Sequence, residues 1–197
     1  GDLDLFLANQ SGKTDALWRN DGSAFVDVAA SLGMASPGRK PTEGGVGCAV
    51  GDYDNDGNLD IFVPNYGRNA LWRGDGKGGF SNVAAATGVD LENEAVGASW
   101  GDYDNDGYPD LSVMSYVGSA PNQVPTDALF HNEGGKGFVN VLTKGGPLDA
   151  GDHGVTWVDY DRDGAVDLSL TDGYSDKGGH FLFRNALPKA QARQSLQ

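Results

Sequence analysis

The chain has a single cysteine, Cys48, so no intrachain disulfide can form. Cys48 falls in an apolar strand pattern, where a buried structural thiol is expected rather than a nucleophile. No run of eighteen apolar residues occurs, so no segment reads as a membrane-spanning helix and no membrane insertion is expected. Positive charge is scarce. Fourteen Lys and Arg stand against 28 Asp and Glu, leaving a net charge of −14. Such a chain repels nucleic acid and anionic lipid, and neither is expected as a partner. Catalytic signatures are also missing. His131, His153 and His180 lie far apart with no paired nucleophile, and there is no Gly-x-Ser-x-Gly, phosphate loop or His-Glu-x-x-His. The expectation is therefore a protein that is not an enzyme, although an active site could lie in a part of the protein outside this sequence. Glutamate is nearly absent as well: only Glu43, Glu92, Glu94 and Glu133 occur, and the other 24 acidic residues are Asp.

Glycine, at 31 of 197 residues, is abundant, which suits many short strands joined by tight turns and argues against long helices. The aspartates are not scattered. Asp52-Tyr-Asp-Asn-Asp-Gly57 and Asp102-Tyr-Asp-Asn-Asp-Gly107 are identical, and Asp159-Tyr-Asp-Arg-Asp-Gly164 differs only at Arg162. The opening Gly1-Asp-Leu-Asp4 matches Gly57-Asn-Leu-Asp60, so a first copy lacks its leading Asp-x-Asp-x-Asp. Because Gly1 lies inside a motif, and neither Met nor a signal peptide precedes it, a piece of a longer protein is expected. The four glycines at 1, 57, 107 and 164 are 56, 50 and 57 residues apart, the length of one four-stranded propeller blade with its loops.

Two further landmarks recur downstream of the loops, the first in all four copies and the second in the first three. One is Leu17-Trp18-Arg19-Asn20, Leu71-Trp72-Arg73, Leu129-Phe130-His131-Asn132 and Leu182-Phe183-Arg184-Asn185. The other is Phe25-x-x-Val28-Ala-Ala, Phe80-x-x-Val83-Ala-Ala and Phe138-x-x-Val141. Alternation and punctuation then give four strands per unit. Strand one precedes the acidic loop (46–50, 96–100, 153–157), and strand two follows it (59–64, 109–114, 166–170). Strand three holds the Leu-aromatic pair and strand four the Phe-x-x-Val pair. Trp18, Trp72, Trp100 and Trp157 fall in these patterns and are expected in the core. The fold class is thus all-β, built of propeller blades of four antiparallel strands. The units are a partial blade at 1–34, blades at 45–89 and 95–146, and a partial blade at 152–187, with 188–197 as a polar linker.

Each complete loop reads as a Ca²⁺ site. Ca²⁺ is a hard cation that takes six to eight oxygen ligands in a flexible geometry. Asp at loop positions one, three and five can converge when the chain turns sharply at the Gly in position six. Position seven offers a backbone carbonyl and position nine a further carboxylate. The expected ligands are Asp52, Asp54, Asp56, Asn58 and Asp60 in the first complete loop. They are Asp102, Asp104, Asp106, Tyr108 and Asp110 in the second, and Asp159, Asp161, Asp163, Ala165 and Asp167 in the third. Asp4 is all that remains of the truncated loop. Position twelve is Val63, Val113 or Leu170 where an EF-hand has Glu, so these are hairpin loops between strands. The donors are all oxygen, which argues against Zn²⁺. Asp and Asn also favour turns without any metal, but four Asp within nine residues would then repel one another. Asn55 and Asn105 read as turn chemistry, and Arg162 is expected to pair with a carboxylate of its loop. Three Ca²⁺ would bring the charge from −14 to about −8.

The set Gly-Asp-Tyr-Asp-Asn-Asp-Gly-x-x-Asp, Leu-Trp-Arg-Asn-x-Gly and Phe-x-x-Val-Ala-Ala-x-x-Gly resembles the FG-GAP-like or VCBS repeat family, the calcium-loop propeller of integrin α chains. The Leu-Trp-Arg-Asn and Phe-x-x-Val-Ala-Ala details are most similar to its cartilage acidic protein and ASPIC/UnbV branch. The literal Phe-Gly…Gly-Ala-Pro signature is absent, since strand one reads Val46-Gly-Cys-Ala-Val50. The resemblance implies a ring of seven blades. A tyrosine recurs where strand two leads into strand three, at Tyr66, Tyr116 and Tyr174. These could line a face that binds ligand, or cap strands against neighbouring blades. The expected function is a calcium-stabilised module for binding or adhesion to protein or glycan, placed outside the cell, on its surface or in a periplasm. The alternatives are the propeller of a polysaccharide-acting enzyme and a purely structural surface repeat. The sequence fixes no oligomeric state.

Overall fold

The computed structural model describes residues 2–34, 40–115, 127–142, 152–172 and 179–187. Strand pairing follows the repeats. The first contributes β1 (Leu5–Leu7), β2 (Ala16–Asn20) and β3 (Phe25–Asp27), hydrogen-bonded in that order. The second begins with β4 (Gly44–Gly45) and β5 (Ala49–Gly51) and continues with β6 (Asp60–Val63), β7 (Asn65–Arg68), β8 (Ala70–Gly74) and β9 (Phe80–Asn82). The third holds β10 (Glu92–Gly101), β11 (Asp110–Ser115), β12 (Ala128–Asn132) and β13 (Phe138–Asn140). The fourth holds β14 (Asp152–Val158), β15 (Asp167–Asp172) and β16 (His180–Phe183). Every described strand pair is antiparallel, and among the described residues helix is confined to single turns.

The second repeat pairs β5-β6-β8-β9 as an antiparallel sheet of four. The third departs from the expected four strands. Its strands run β13-β12-β11-β10 and then continue into β7 and β4 of the second repeat, making one sheet of six. The cause is a long β10, whose first residues leave β11 and pair instead with β7, Glu92 opposite Arg68 and Glu94 opposite Tyr66. Residues 65–68, where strand two was expected to lead into strand three, are thus a strand of their own. Side chains shape that hairpin: Asn69 Oδ1 accepts the Asn65 N–H at 2.9 Å, and the Asn65 amide donates to Val63 O and Arg68 O at 3.2 and 2.8 Å. The same closure recurs where Asp15 accepts the N–H of Asn9 at 2.9 Å and Asp127 accepts that of Ser115 at 2.6 Å.

The core lies between successive sheets. In β6 and β11 strand two is buried on both faces, so its alternate residues serve different neighbours. In β6, Ile61 and Val63 pack with Ala29 and Met34 of the first repeat. Phe62, from the opposite face, packs with Leu111, Val113, Phe130 and Phe138 of the third. Met114 of β11 in turn joins Leu168 and Leu170 of β15. The first strands β5, β10 and β14 lie beside one another. Their contact explains a glycine: a Cβ on Gly51 would stand 2.9 Å from the Trp100 ring, and one on Gly101 2.3 Å from that of Trp157. Each strand-one tryptophan therefore packs on the bare backbone of the preceding repeat. Trp100 also meets Phe62 and Phe138 at ring distances of 6.3 and 6.0 Å. Trp72 is buried and Trp157 packs on the third cluster, while Trp18 is only half-buried.

Two local expectations change. Val28 and Val83, expected in strand four, lie just past its end, and helical turns follow at Ala30–Leu32 and Ala84–Thr87. Alanine favours the helix, and the turns end at Gly33 and Gly88. Cys48, expected to be buried, is exposed. It lies just before the short β5, outside the part of strand one that pairs with β6.

Phe130 is fully buried at the meeting of two repeats, whereas Val139 on the outer strand is 46% exposed. Phe130→Ala is expected to lower unfolding free energy by about 3–5 kcal/mol in urea titration. Val139→Ala should stay within about 0.5 kcal/mol.

Candidate metal centre

The three complete acidic loops join strand one to strand two in the second, third and fourth repeats, and they share one internal architecture. The position-one carboxylate folds the loop. Asp52 accepts the N–H of Asp56 and Gly57 at 3.1 and 2.8 Å, and Asp102 accepts those of Asp106 and Gly107 at 3.1 and 3.0 Å. Asp159 does the same for Asp163 and Gly164, at 3.1 Å each. Position five caps position seven: Asp56, Asp106 and Asp163 accept the N–H of Asn58, Tyr108 and Ala165. Two left-handed residues make the turn, Asn55, Asn105 or Arg162 with φ of 56–59°, then Gly57, Gly107 or Gly164 with φ of 86–93°. Asn adopts that conformation more readily than most residues, and Gly without strain.

Position nine ties the loop to strand three. Asp60 Oδ2 accepts the Tyr53 N–H at 3.0 Å and Oδ1 the Gly74 N–H at 2.9 Å. Asp110 repeats this with Tyr103 and Asn132, and Asp167 with Tyr160 and Asn185. Asp4, the remnant of the truncated loop, is exposed and accepts the Asn20 N–H at 2.8 Å. It joins no metal-ligating group among the described residues. Burial pushes the Asp60 carboxyl up to about 6 despite the N–H groups of Gly74 and Tyr53. Burial likewise lifts Asp110 to about 6, against the pull of the Asn132 and Tyr103 N–H groups and of His131.

These bonds bring carboxylates together. Oxygen atoms of Asp52, Asp54 and Asp60 lie within 4.8 Å of one another, as do those of Asp159, Asp161 and Asp167. In the middle loop Asp102, Asp104 and Asp106 converge, and Asp104 and Asp110 also converge with His131. Position five therefore joins the cluster only in the middle loop. In the other two loops it is held by a cation that strand three supplies. Arg73 Nε and Nη2 bind Asp54 and Asp56 at 2.6 and 2.7 Å, and Arg184 binds Asp161 and Asp163 at 2.6 and 2.9 Å. The expected partner was Arg162. Arg162 is exposed, and no ion pair of Arg162 is found among the described residues.

Side-chain amides link one repeat to the next. Asn132 donates to Tyr53 O at 2.8 Å and Pro109 O at 2.9 Å, and Asn185 to Tyr103 O at 2.6 Å and Val166 O at 3.1 Å. In the other direction Asn55 donates to Gly107 O at 2.8 Å and Asn105 to Gly164 O at 3.1 Å. The Arg or His of strand three is thus part of the site beside each complete loop, as is the Asn that follows it in the third and fourth repeats, and that recurrence was the available signal. Of the tyrosines considered for ligand binding, Tyr66 is half-buried in β7, and Tyr116 and Tyr174 lie outside the described residues. No helix among the described residues is long and apolar enough to cross a membrane.

Tandem antiparallel sheets, three of them carrying a nine-residue acidic hairpin loop, define a repeat protein of the acidic-loop β class. The chain belongs to the FG-GAP-like repeat family, whose model matches residues 1–63 and again 52–113. It is 30% identical over 190 residues to cartilage acidic protein 1 of Mus musculus, covering 87% of this chain and 27% of that protein. It is 28% identical over 179 residues to cartilage acidic protein 1 of Homo sapiens, covering 87% and 26%. The chain spans about a quarter of the length of these relatives.

Two outcomes are expected. Asn132→Ala strands two carbonyls and should cost about 1–3 kcal/mol in denaturant midpoint analysis. The second concerns pH. Asp60 and Asp110 have folded values above their ordinary 3.8, so the metal-free fold binds more protons than the unfolded chain. Their stabilising contribution is fully present below about pH 3.8 and is lost as pH rises through about 6. In EDTA, Asp60→Asn should lose less stability than wild type between about pH 4 and about pH 7. Equal losses would show that Asp60 does not titrate in this window.

Proposed function

We propose that this chain is a stretch of calcium-stabilised β-propeller acting as an extracellular binding or adhesion module for a protein or glycan. The observation that carries the metal reading is the convergence of three carboxylates in each acidic loop. The donors fit the ion. Asp54 Oδ1 is buried and accepts no hydrogen bond, an acceptor that a cation would satisfy. An all-oxygen set with backbone carbonyls suits a hard cation of flexible geometry. Asp52, Asp54, Asp60 and the Asn58 carbonyl would hold Ca²⁺ in one loop, with Asp56 shared between ion and Arg73. Asp102, Asp104, Asp106, Asp110 and the Tyr108 carbonyl would do so in the next. Asp159, Asp161, Asp163, Asp167 and the Ala165 carbonyl form the third set. The bound ion supplies charge that offsets carboxylate repulsion and fixes strand one against strand two.

The propeller reading rests on sheets packed face to face in chain order and on β5, β10 and β14 lying side by side, as first strands do around an axis. Its blades are 1–34, 45–89, 95–146 and 152–187, with 188–197 as linker, in a ring for which the family resemblance implies seven blades. Loops of this kind draw on calcium concentrations found outside the cytosol, and the likeness to cartilage acidic protein 1 points the same way. A binding role fits better than a catalytic one because the loop carboxylates are occupied with their own turns and ion pairs. The strand two-to-three side, where Tyr66 lies in β7, is the candidate partner face.

Thermal unfolding in millimolar CaCl₂ and in EGTA tests the metal role. A calcium-dependent rise in midpoint, larger above about pH 6 where Asp60 and Asp110 are ionised, is expected. It should vanish when Asp54, Asp104 and Asp161 are all changed to Ala. A midpoint indifferent to calcium at neutral pH would leave the loops as turns only.

A further inference from the structure

The residue after the Leu-aromatic pair is Arg19, Arg73, His131 and Arg184 in the successive repeats. In the second and fourth repeats the guanidinium neutralises positions three and five of the loop. The third repeat has an imidazole there, and it takes up a different place. His131 Nδ1 lies 3.4 Å from Asp104 Oδ2 and 3.3 Å from Asp110 Oδ1, touching position nine where the guanidiniums touch position five. The Asp110 side chain is fully buried, and the Nδ1 atom is itself shut off from solvent without making a hydrogen bond. The ring packs edge-on against Tyr103, with centroids 6.1 Å apart at 68°. Asp110 cannot withdraw either, because both of its oxygens hold backbone N–H groups.

A nitrogen facing two carboxylate oxygens at this range needs a proton or a cation between them. The spacing fits a shared cation, and the donor types select its class. Bonds of about 2.0–2.1 Å arranged tetrahedrally place neighbouring ligand atoms about 3.3 Å apart. The two separations of 3.3 and 3.4 Å match that edge. An imidazole with two carboxylates suits a borderline transition cation, whereas Ca²⁺ takes oxygen. A guanidinium carries no lone pair and can ligate nothing, so neither Arg73 nor Arg184 can give its loop this property.

We propose that the loop of the third repeat is a site for a divalent transition cation of the Zn²⁺ class, ligated by Asp104, Asp110 and His131 with a remaining position for water. The proposal shares Asp104 and Asp110 with the calcium reading, so the two cations exclude each other at this loop. The other two complete loops are left to Ca²⁺ alone. It rests on the calcium reading only for the availability of these carboxylates, and its ligand set stands by itself.

The test uses the full chain, stripped with EDTA and titrated with Co²⁺ as a coloured substitute for Zn²⁺. Visible absorption of four-coordinate Co²⁺ that Zn²⁺ bleaches at one equivalent is expected. His131→Gln removes the ligand, and His131→Arg installs the residue of the neighbouring repeats, so that at least one folded variant is available, with far-ultraviolet circular dichroism as the check on folding. Both should lose the band and bind Zn²⁺ at least roughly tenfold more weakly, since even groups that merely support a ligand are worth that much. No band in wild type, or the same band in a folded variant, overturns the proposal, and in either case His131 is only an ion-pair partner. A calcium-induced thermal shift without a Co²⁺ band overturns this site alone. A Co²⁺ band without any calcium shift supports this site and overturns the calcium reading alone.

Discussion

Four carboxylates within nine residues is the constraint on which the rest of the structure depends. Two like charges about 4 Å apart cost from about 1 kcal/mol in water to about 4 kcal/mol near a protein surface. The chain meets this cost in layers. The innermost is the loop's own backbone: positions one and five turn their oxygens onto N–H groups of positions five, six and seven. The next is strand three, which offers a backbone N–H to position nine and, in two repeats, a guanidinium to positions three and five. What these layers leave over is the negative potential available to a metal.

The same atoms join the repeats. The two strand-one glycines let tryptophans pack on backbone near β5, β10 and β14, and the loop amides bridge on the side where the acidic turns lie. Asn132 shows how closely the two tasks are combined. Its N–H holds Asp110 of its own repeat, while its side chain reaches the Tyr53 carbonyl between Asp52 and Asp54 of the repeat before. A loop is therefore a joint, and whatever orders one loop acts on the hydrogen-bond partners of the next.

Features set by residues adjacent in sequence could be read directly. The acidic turn, its glycine hinge and the buried strand that follows all rest on short-range chemistry, and the structure places them within a residue or two of expectation. Features set by pairing were not legible. The guanidinium of Arg73 lies 17 to 19 residues from the carboxylates it binds, and the Asn185 amide lies 82 residues from Tyr103. Both residues were visible as parts of a recurring motif, but alternation assigned that motif to a strand and gave no direction to its polar members. Arg162 misled for the same reason: its place inside the loop suggested an ion pair, and the structure leaves its side chain exposed. β7 escaped because it pairs through the early residues of β10, with which it shares no sequence pattern.

Departures among the repeats are the most specific information the chain carries. Gly74 stands where Asn132 and Asn185 stand, and without a side chain it cannot reach back to a preceding loop. The first two repeats are joined elsewhere, by Gly12 N–H to Glu43 O at 2.8 Å and Gly45 N–H to Asn9 O at 2.9 Å, around β4. The second, third and fourth repeats are coupled through their acidic loops, and the first is coupled through a sheet edge. His131 falls in the middle of the loop-coupled set, and its loop is bonded to both neighbours, through Asn55 to Gly107 and Asn105 to Gly164. A substitution that would be local in an isolated turn thus falls where hydrogen bonds carry its effect in both directions along the chain.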